Sequence, residues 1–183
     1  MRARNNLSTK INLINLFREL WEEHIMWTRS FIISTVSELD DIEYVTHRLL
    51  RNPTDFANVF RLYYGDEIAK EIERLFTTHL TIAASLVTHA KAGDTEAVNQ
   101  DRADWYRNAD EISSFLASIN PYWNTGDFKS LFYNHLKMTE DEAVYRLTKK
   151  YAQDIINYEM IQSEALMMAD IISYGIIAQF YGR

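Results

Sequence analysis

Apolar residues recur at spacings of three and four along nearly the whole chain, and only five Gly and two Pro interrupt them. That is the period of a buried helix face, and it predicts an all-α protein. Leu13, Leu16, Phe17, Leu20, His24, Trp27, Phe31 and Ile32 fall on one face of a first helix. The spacing starts this helix after Ser8, a good N-cap, and stops it at Ser37-Glu38-Leu39-Asp40-Asp41, where an Asp can cap the next. Asn52-Pro53-Thr54-Asp55 reads as a fresh start, with Asn52 as N-cap and Pro at the first helical position. Tyr64-Gly65-Asp66 and Gly93-Asp94-Thr95 read as further turns, and Asn120 to Asp127 as the longest loop.

The last segment, Asp127 to Phe180, contains no Pro. Left unbroken it would be a helix roughly 80 Å long, too long for a compact domain of this size, so a break is expected near Lys149.

The phrases LWEEHI, LFTTHL and LFYNHL place His24, His79 and His135 at intervals of 55 and 56 residues. Arg51 to Phe56 (RNPTDF) also falls opposite Arg107 to Ile112 (RNADEI) at an offset of 56. Repetition at a fixed period marks duplicated supersecondary units. The expected architecture is a single domain over 1–183, an up-and-down bundle of three helical hairpins (about 8–64, 65–120 and 121–183), ferritin-like in general outline. Each hairpin is a long His-bearing helix followed by a return helix.

In such a bundle the three His-bearing helices run in the same direction, so the imidazoles lie at similar height on inward faces. Counting back from each turn brings Asn52, Asn108 and Glu164 to the same level. Neutral imidazole is the commonest metal ligand, and three His with one carboxylate suit zinc, iron or manganese. The candidate metal set is His24, His79, His135 and Glu164, with Asn52 and Asn108 behind them. The alternative stands beside it: buried His, hydrogen-bonded to a neighbouring side chain, can fix helix packing with no ligand at all. Asn52 and Asp55 also read as cap residues, and a duplicated unit duplicates its structural His. Dinuclear signatures are absent. Three residues before the histidines stand Trp21, Phe76 and Phe132, where a ferritin-like Glu-x-x-His needs Glu, and four after them stand Thr28, Ala83 and Thr139. Glu142 interrupts the apolar stripe of the third His helix and calls for a cation, Arg29 or Arg146.

Composition narrows the field. With no Cys the chain has neither disulfides nor thiolate chemistry, which fits the cytoplasm. A formal net charge of -7, with basic pairs only at Arg2/Arg4 and Lys149/Lys150, argues against a nucleic-acid surface. No uncharged run reaches the roughly 18 residues of a membrane span. No Ser/His/Asp set, phosphate loop or poised carboxylate pair names a reaction. The expected partners are a small polar ligand or a second copy of the chain, with neither nucleic acid nor membrane.

HIMWTRSFI, RLLRNPTDFANVF and WYRNADEISSFLASINPYW carry a family resemblance. They resemble a family of uncharacterised helical-bundle proteins from Gram-positive bacteria, marked by HxxWxR, and the likeness covers nearly the whole chain. It implies a helical bundle and brings no activity. Some relatives are labelled acetylglutamate kinase, but this sequence has neither a glycine-rich phosphate loop nor strand–helix alternation.

Overall fold

A computed structural model describes residues 2–182, and every regular element among them is helical. In chain order these are α1 (Arg2–Ser37), α2 (Ile42–Leu49), α3 (Asn52–Ala92), α4 (Thr95–Ile119), α5 (Thr125–Leu147) and α6 (Tyr151–Tyr181). The first helix begins earlier than the sequence suggests, so Ser8 lies inside it rather than at its cap. No Gly or Pro occurs between Arg2 and Ser8 to stop the helical period. The later stops follow local chemistry. Glu38 and Lys149 take positive φ (55° and 57°), and Lys149 breaks the long C-terminal segment between α5 and α6. Asp94 caps α4 by accepting from the Ala97 amide, and Asn124 caps α5 by accepting from the Gly126 and Asp127 amides.

Hydrogen bonding joins residues 52 to 92 into one helix, yet Gly65 has φ 82° and ψ 179°. The chain reverses there. Thr54 Oγ1 donates to Glu73 Oε1 (2.7 Å), and the Phe56 and Phe76 rings lie 5.2 Å apart, so the two halves run back alongside each other. A single residue does the work of a loop.

The helices close into a ring in which α1 packs on α3, α3 on α4, α4 on α5, α5 on α6, and α6 returns to α1, with α2 against α1. Inside it Phe17, Phe56, Phe60, Ile72, Phe128 and Phe132 are fully buried. Each such side chain stabilises by about 1.5–3 kcal/mol through lost contact with water. At one end of the bundle Tyr64, Trp123 and Phe180 pack together, and Tyr64 donates to Gln179 Oε1 (2.8 Å). Trp123 lies so close over α6 that a Cβ on Gly175 would come within 1.8 Å of its indole nitrogen.

The dihedrals of Gly65 lie in a region essentially closed to residues with a Cβ, whereas those of Gly93 (φ 76°, ψ 14°) are the ordinary left-handed helical values that Asn also adopts. An added Cβ meets nothing within 4 Å at either position, so the cost of substitution is purely conformational. Gly65→Asn is expected to lose about 1–3 kcal/mol in urea unfolding, and Gly93→Asn much less. Equal losses would refute a strained reversal at Gly65.

Candidate functional site

His24 on α1, His79 on α3 and His135 on α5 are all buried at the middle of the bundle. Each ring uses Nδ1 for a side chain 28 or 29 residues further on: Asn52 Oδ1 (3.2 Å), Asn108 Oδ1 (2.9 Å) and Glu164 Oε2 (3.0 Å). The two Asn side chains are clasps. Asn52 Nδ2 donates to the Leu20 carbonyl (3.0 Å) and Asn108 Nδ2 to the Leu75 carbonyl (3.2 Å), one turn before the respective His. Asn52 therefore sits at the first helical position behind Arg51 and is not the cap that its place before Pro53 suggests. Its side chain faces the core because α1 supplies both a donor and an acceptor there.

This network fixes the tautomer. An amide whose nitrogen donates to a carbonyl presents oxygen to the imidazole, so Nδ1 carries the proton and Nε2 keeps its lone pair. In His79 that lone pair accepts from the Trp105 indole N–H (3.2 Å). Among the described residues, no protein group hydrogen-bonds Nε2 of His24 or His135. The rings of His24 and His135 are neighbours, with centroids 5.5 Å apart, and Trp21 packs edge-on against both. A small cavity of about 10 Å³ lies beside His24 and His79, lined also by Trp21, Asn52, Phe56 and Phe132 among others. That is the space of one water molecule. Two polar atoms at this level are buried with no hydrogen-bond partner, Trp21 Nε1 and Glu164 Oε1.

Burial holds the His24 imidazole well below its ordinary pKa, and the neighbouring His135 and His79 lower it further. His79 is held at about 3, again by burial first and His135 second. Both rings are neutral at pH 7, the form that offers a lone pair.

The structure therefore brings His24, His79, His135, Asn52, Asn108 and Glu164 to one level. Glu164 bonds Nδ1 of its histidine as the two Asn do. Asp55 lies apart, paired at the surface with Arg51 (2.9 Å), as does Glu111 on the exposed face of α4. His89 pairs with Asp101 (2.7 Å) and His47 is exposed. Among the described residues no three His, Asp or Glu side chains form a ready ligand set for an ion.

Nearer Lys149 lies a second polar cluster. Glu142 is paired with Arg29, as its place in an apolar stripe requires, and Arg29 also grips Asp154 through two hydrogen bonds of 2.9 and 2.8 Å. Arg146 pairs with the same Asp154 at 3.0 Å, and the Arg29 guanidinium lies 4.5 Å from the Tyr158 ring centre. Burial pushes the Glu142 carboxyl up to about 7 against the pull of Arg29. Sequence reasoning missed Asp154. Its signal was available, since the 56-residue offset places it over Val98 and Ile42, apolar positions like the Leu86 that lies under Glu142. Trp105 was also missed as a donor to His79, and nothing in the spacing marks it.

No family model, no curated protein and no solved structure matches this chain. Its function has to be argued from its own side chains.

Two outcomes follow from these geometries. In chelator, His79 binds no proton until pH nears 3, whereas an unfolded His binds one near 6.5. The unfolded state thus takes up more protons between those values. Stability is complete above about pH 6.5 and falls with acid, by up to about 1.4 kcal/mol per pH unit for this group. His79→Gln should flatten that slope relative to wild type in urea unfolding at successive pH values. Glu142, shifted the other way, contributes with opposite sign in both proteins and cancels in the difference. Separately, Arg29→Met leaves Glu142 and Asp154 without their shared cation and should cost about 3–5 kcal/mol. A loss below about 1 kcal/mol would mean that the pair behaves as a surface bridge.

Proposed function

We propose that this protein is a bundle of three helical hairpins, ferritin-like in general outline only, that binds one mononuclear metal ion through Nε2 of His24, His79 and His135. One observation carries the reading: all three histidines spend Nδ1 on a side chain 28 or 29 residues on, which leaves Nε2 as the ring nitrogen to meet an ion. A second-shell acceptor on one ring nitrogen, with the other nitrogen on the metal, is the recurrent arrangement of His-bound ions. In this reading Asn52, Asn108 and Glu164 are positioning residues, and Glu164 adds the negative charge that offsets a divalent cation. Zinc and iron are the metals that imidazole donors suit, and manganese, which prefers oxygen, is the weaker binder of the three. A bound ion would supply Lewis acidity to a small polar ligand. Trp21, Phe56, Phe76 and Phe132 line the cavity beside His24 and His79 with apolar surface.

A second reading has its own observation. Trp105 donates to His79 Nε2 and so already occupies the lone pair that a metal needs. On that reading the bundle is a non-catalytic structural or interaction protein, and its histidines are packing devices.

The two are separated by metal addition to tag-free, chelator-treated protein. Metal binding displaces the Trp105 N–H, so tryptophan fluorescence should change with a stoichiometry of one ion per chain. The melting temperature should rise by mass action. His79→Gln should abolish both responses, and acidification through the imidazole range should release the ion. Wild type that shows no stoichiometric metal and no change in melting temperature with zinc, iron(II) or manganese leaves the packing reading in place.

A further inference from the structure

The apolar surface of α6 does not end at the core. Ile161, Ala165, Met168, Ile172 and Ile176 face inward, but Ile156, Met160, Met167 and Tyr174 on the opposite face are 60%, 51%, 53% and 52% exposed. With the exposed Ser163, these residues recur at spacings of four, three, four and seven. That is the seam pattern of paired helices. The stripe runs over the 19 residues from Ile156 to Tyr174, about 27 Å at 1.5 Å per step. It borders a groove against α5 lined by Lys137, Met138, Met160, Glu164 and Met167, among others.

We propose that this face is covered by a second copy of the chain, the two α6 helices lying parallel about a two-fold axis. Three arguments select that occupant. The first is area. The four apolar side chains alone expose roughly 400 Å², as large as the biggest apolar patch of an ordinary monomer. The flanks carry the surface toward the ~800 Å² per partner of a standard interface.

The second is charge. The bonds His135–Glu164 and Asn157–Met138 fix the register of α5 against α6, and that register sets Lys137 level with Glu159 and Met160. A two-fold interface must be self-complementary. With the α6 helices parallel, the α5 flank of one copy meets the far flank of α6 in the other. Lys137, which pairs with Asp141 in its own chain but keeps 62% of its side chain exposed, then comes opposite Glu159, about 100° round the helix from Met160 on the side away from α5.

The third excludes the bilayer. α6 is long and apolar enough to cross a membrane by composition, but 44% of that stretch is already buried in the bundle. The exposed stripe is flanked by Glu159 and Asp170, on a chain of net charge -7, which an anionic lipid surface repels. Closure also reaches the histidines, because the groove contains Glu164, whose other oxygen holds His135.

The test uses the whole protein, which contains no cysteine. Wild type at tens of micromolar should sediment at twice the 21.5 kDa chain mass. Met160→Asp/Met167→Asp should sediment as a single chain with an unchanged helical circular dichroism spectrum. Leu62→Asp, on a residue 77% exposed on α3, should remain dimeric. Should the double variant misfold, the surface charges decide: Lys137→Glu should weaken association about tenfold, and Lys137→Glu/Glu159→Lys should restore it. Met160→Cys and Met167→Cys, each alone, should cross-link to themselves under mild oxidation, because parallel helices place identical residues opposite each other. Three results overturn the proposal. One is wild type at single-chain mass. Another is cross-linking only between the two different Cys variants. The third is monomeric protein that binds phosphatidylcholine–phosphatidylglycerol vesicles through the same methionines.

Discussion

The bundle is organised around one small interaction, the imidazole Nδ1–H held by an amide oxygen whose own nitrogen reaches the carbonyl one turn before the histidine. His24–Asn52–Leu20 and His79–Asn108–Leu75 repeat it atom for atom. The clasp satisfies two donors and an otherwise exposed lone pair in a place without water, and its failure would leave those groups unpaired at about 1–3 kcal/mol each. Because it needs donor and acceptor at fixed heights, it sets the axial register of the paired helices. Hydrophobic contacts alone would tolerate sliding by a turn. Everything above and below, including the Phe56–Phe76 contact and the stacked aromatic end, is placed relative to these two points.

The third pair departs from the pattern. Glu164 supplies an oxygen to His135 but, as a carboxylate, has no N–H for the Leu131 carbonyl. The helix-to-helix amide contact moves instead to Asn157, which donates to the Met138 carbonyl two turns away (2.8 Å). The same pair of helices carries the buried charges, with Glu142 on α5 and Asp154 on α6 both answered by Arg29 from α1. Amide clasps thus hold one side of the ring, and ionised groups the other. An ion pair at such depth adds little net stability over apolar packing but punishes any wrong arrangement.

Much of this was written in the sequence. Period and breakers located the turns, because Gly65, Gly93 and the Asn120–Asp127 stretch act locally. The intervals of 55 and 56 residues brought the histidines and their partners to one level, since each histidine stands 28 or 29 residues before its partner on a returning helix. Other features could not be read. Asn52 stands where caps stand, and only the neighbouring helix reveals that its side chain turns inward. Trp105 donates to His79 because ring orientation permits it, which spacing does not encode. The helix also runs past Ser8, whose capping chemistry is a preference and not a stop.

The reversal at Gly65 bears on how the chain reaches this state. Closing a loop costs entropy that grows with its length, and here two helices meet across a single residue. The contacts of Thr54 with Glu73 and of Phe56 with Phe76 are therefore among the cheaper tertiary contacts for the chain to form, as is that of His89 with Asp101 across the Gly93 turn. Those between α1 and α6, such as Arg18 with Asp170 across 152 positions of sequence, are the most expensive. On loop-closure entropy alone, the α1–α6 seam is the last part of the ring to close. That seam is packed more extensively than any other but α3 with α4, so what is costly to bring together is firmly held once the ring has closed.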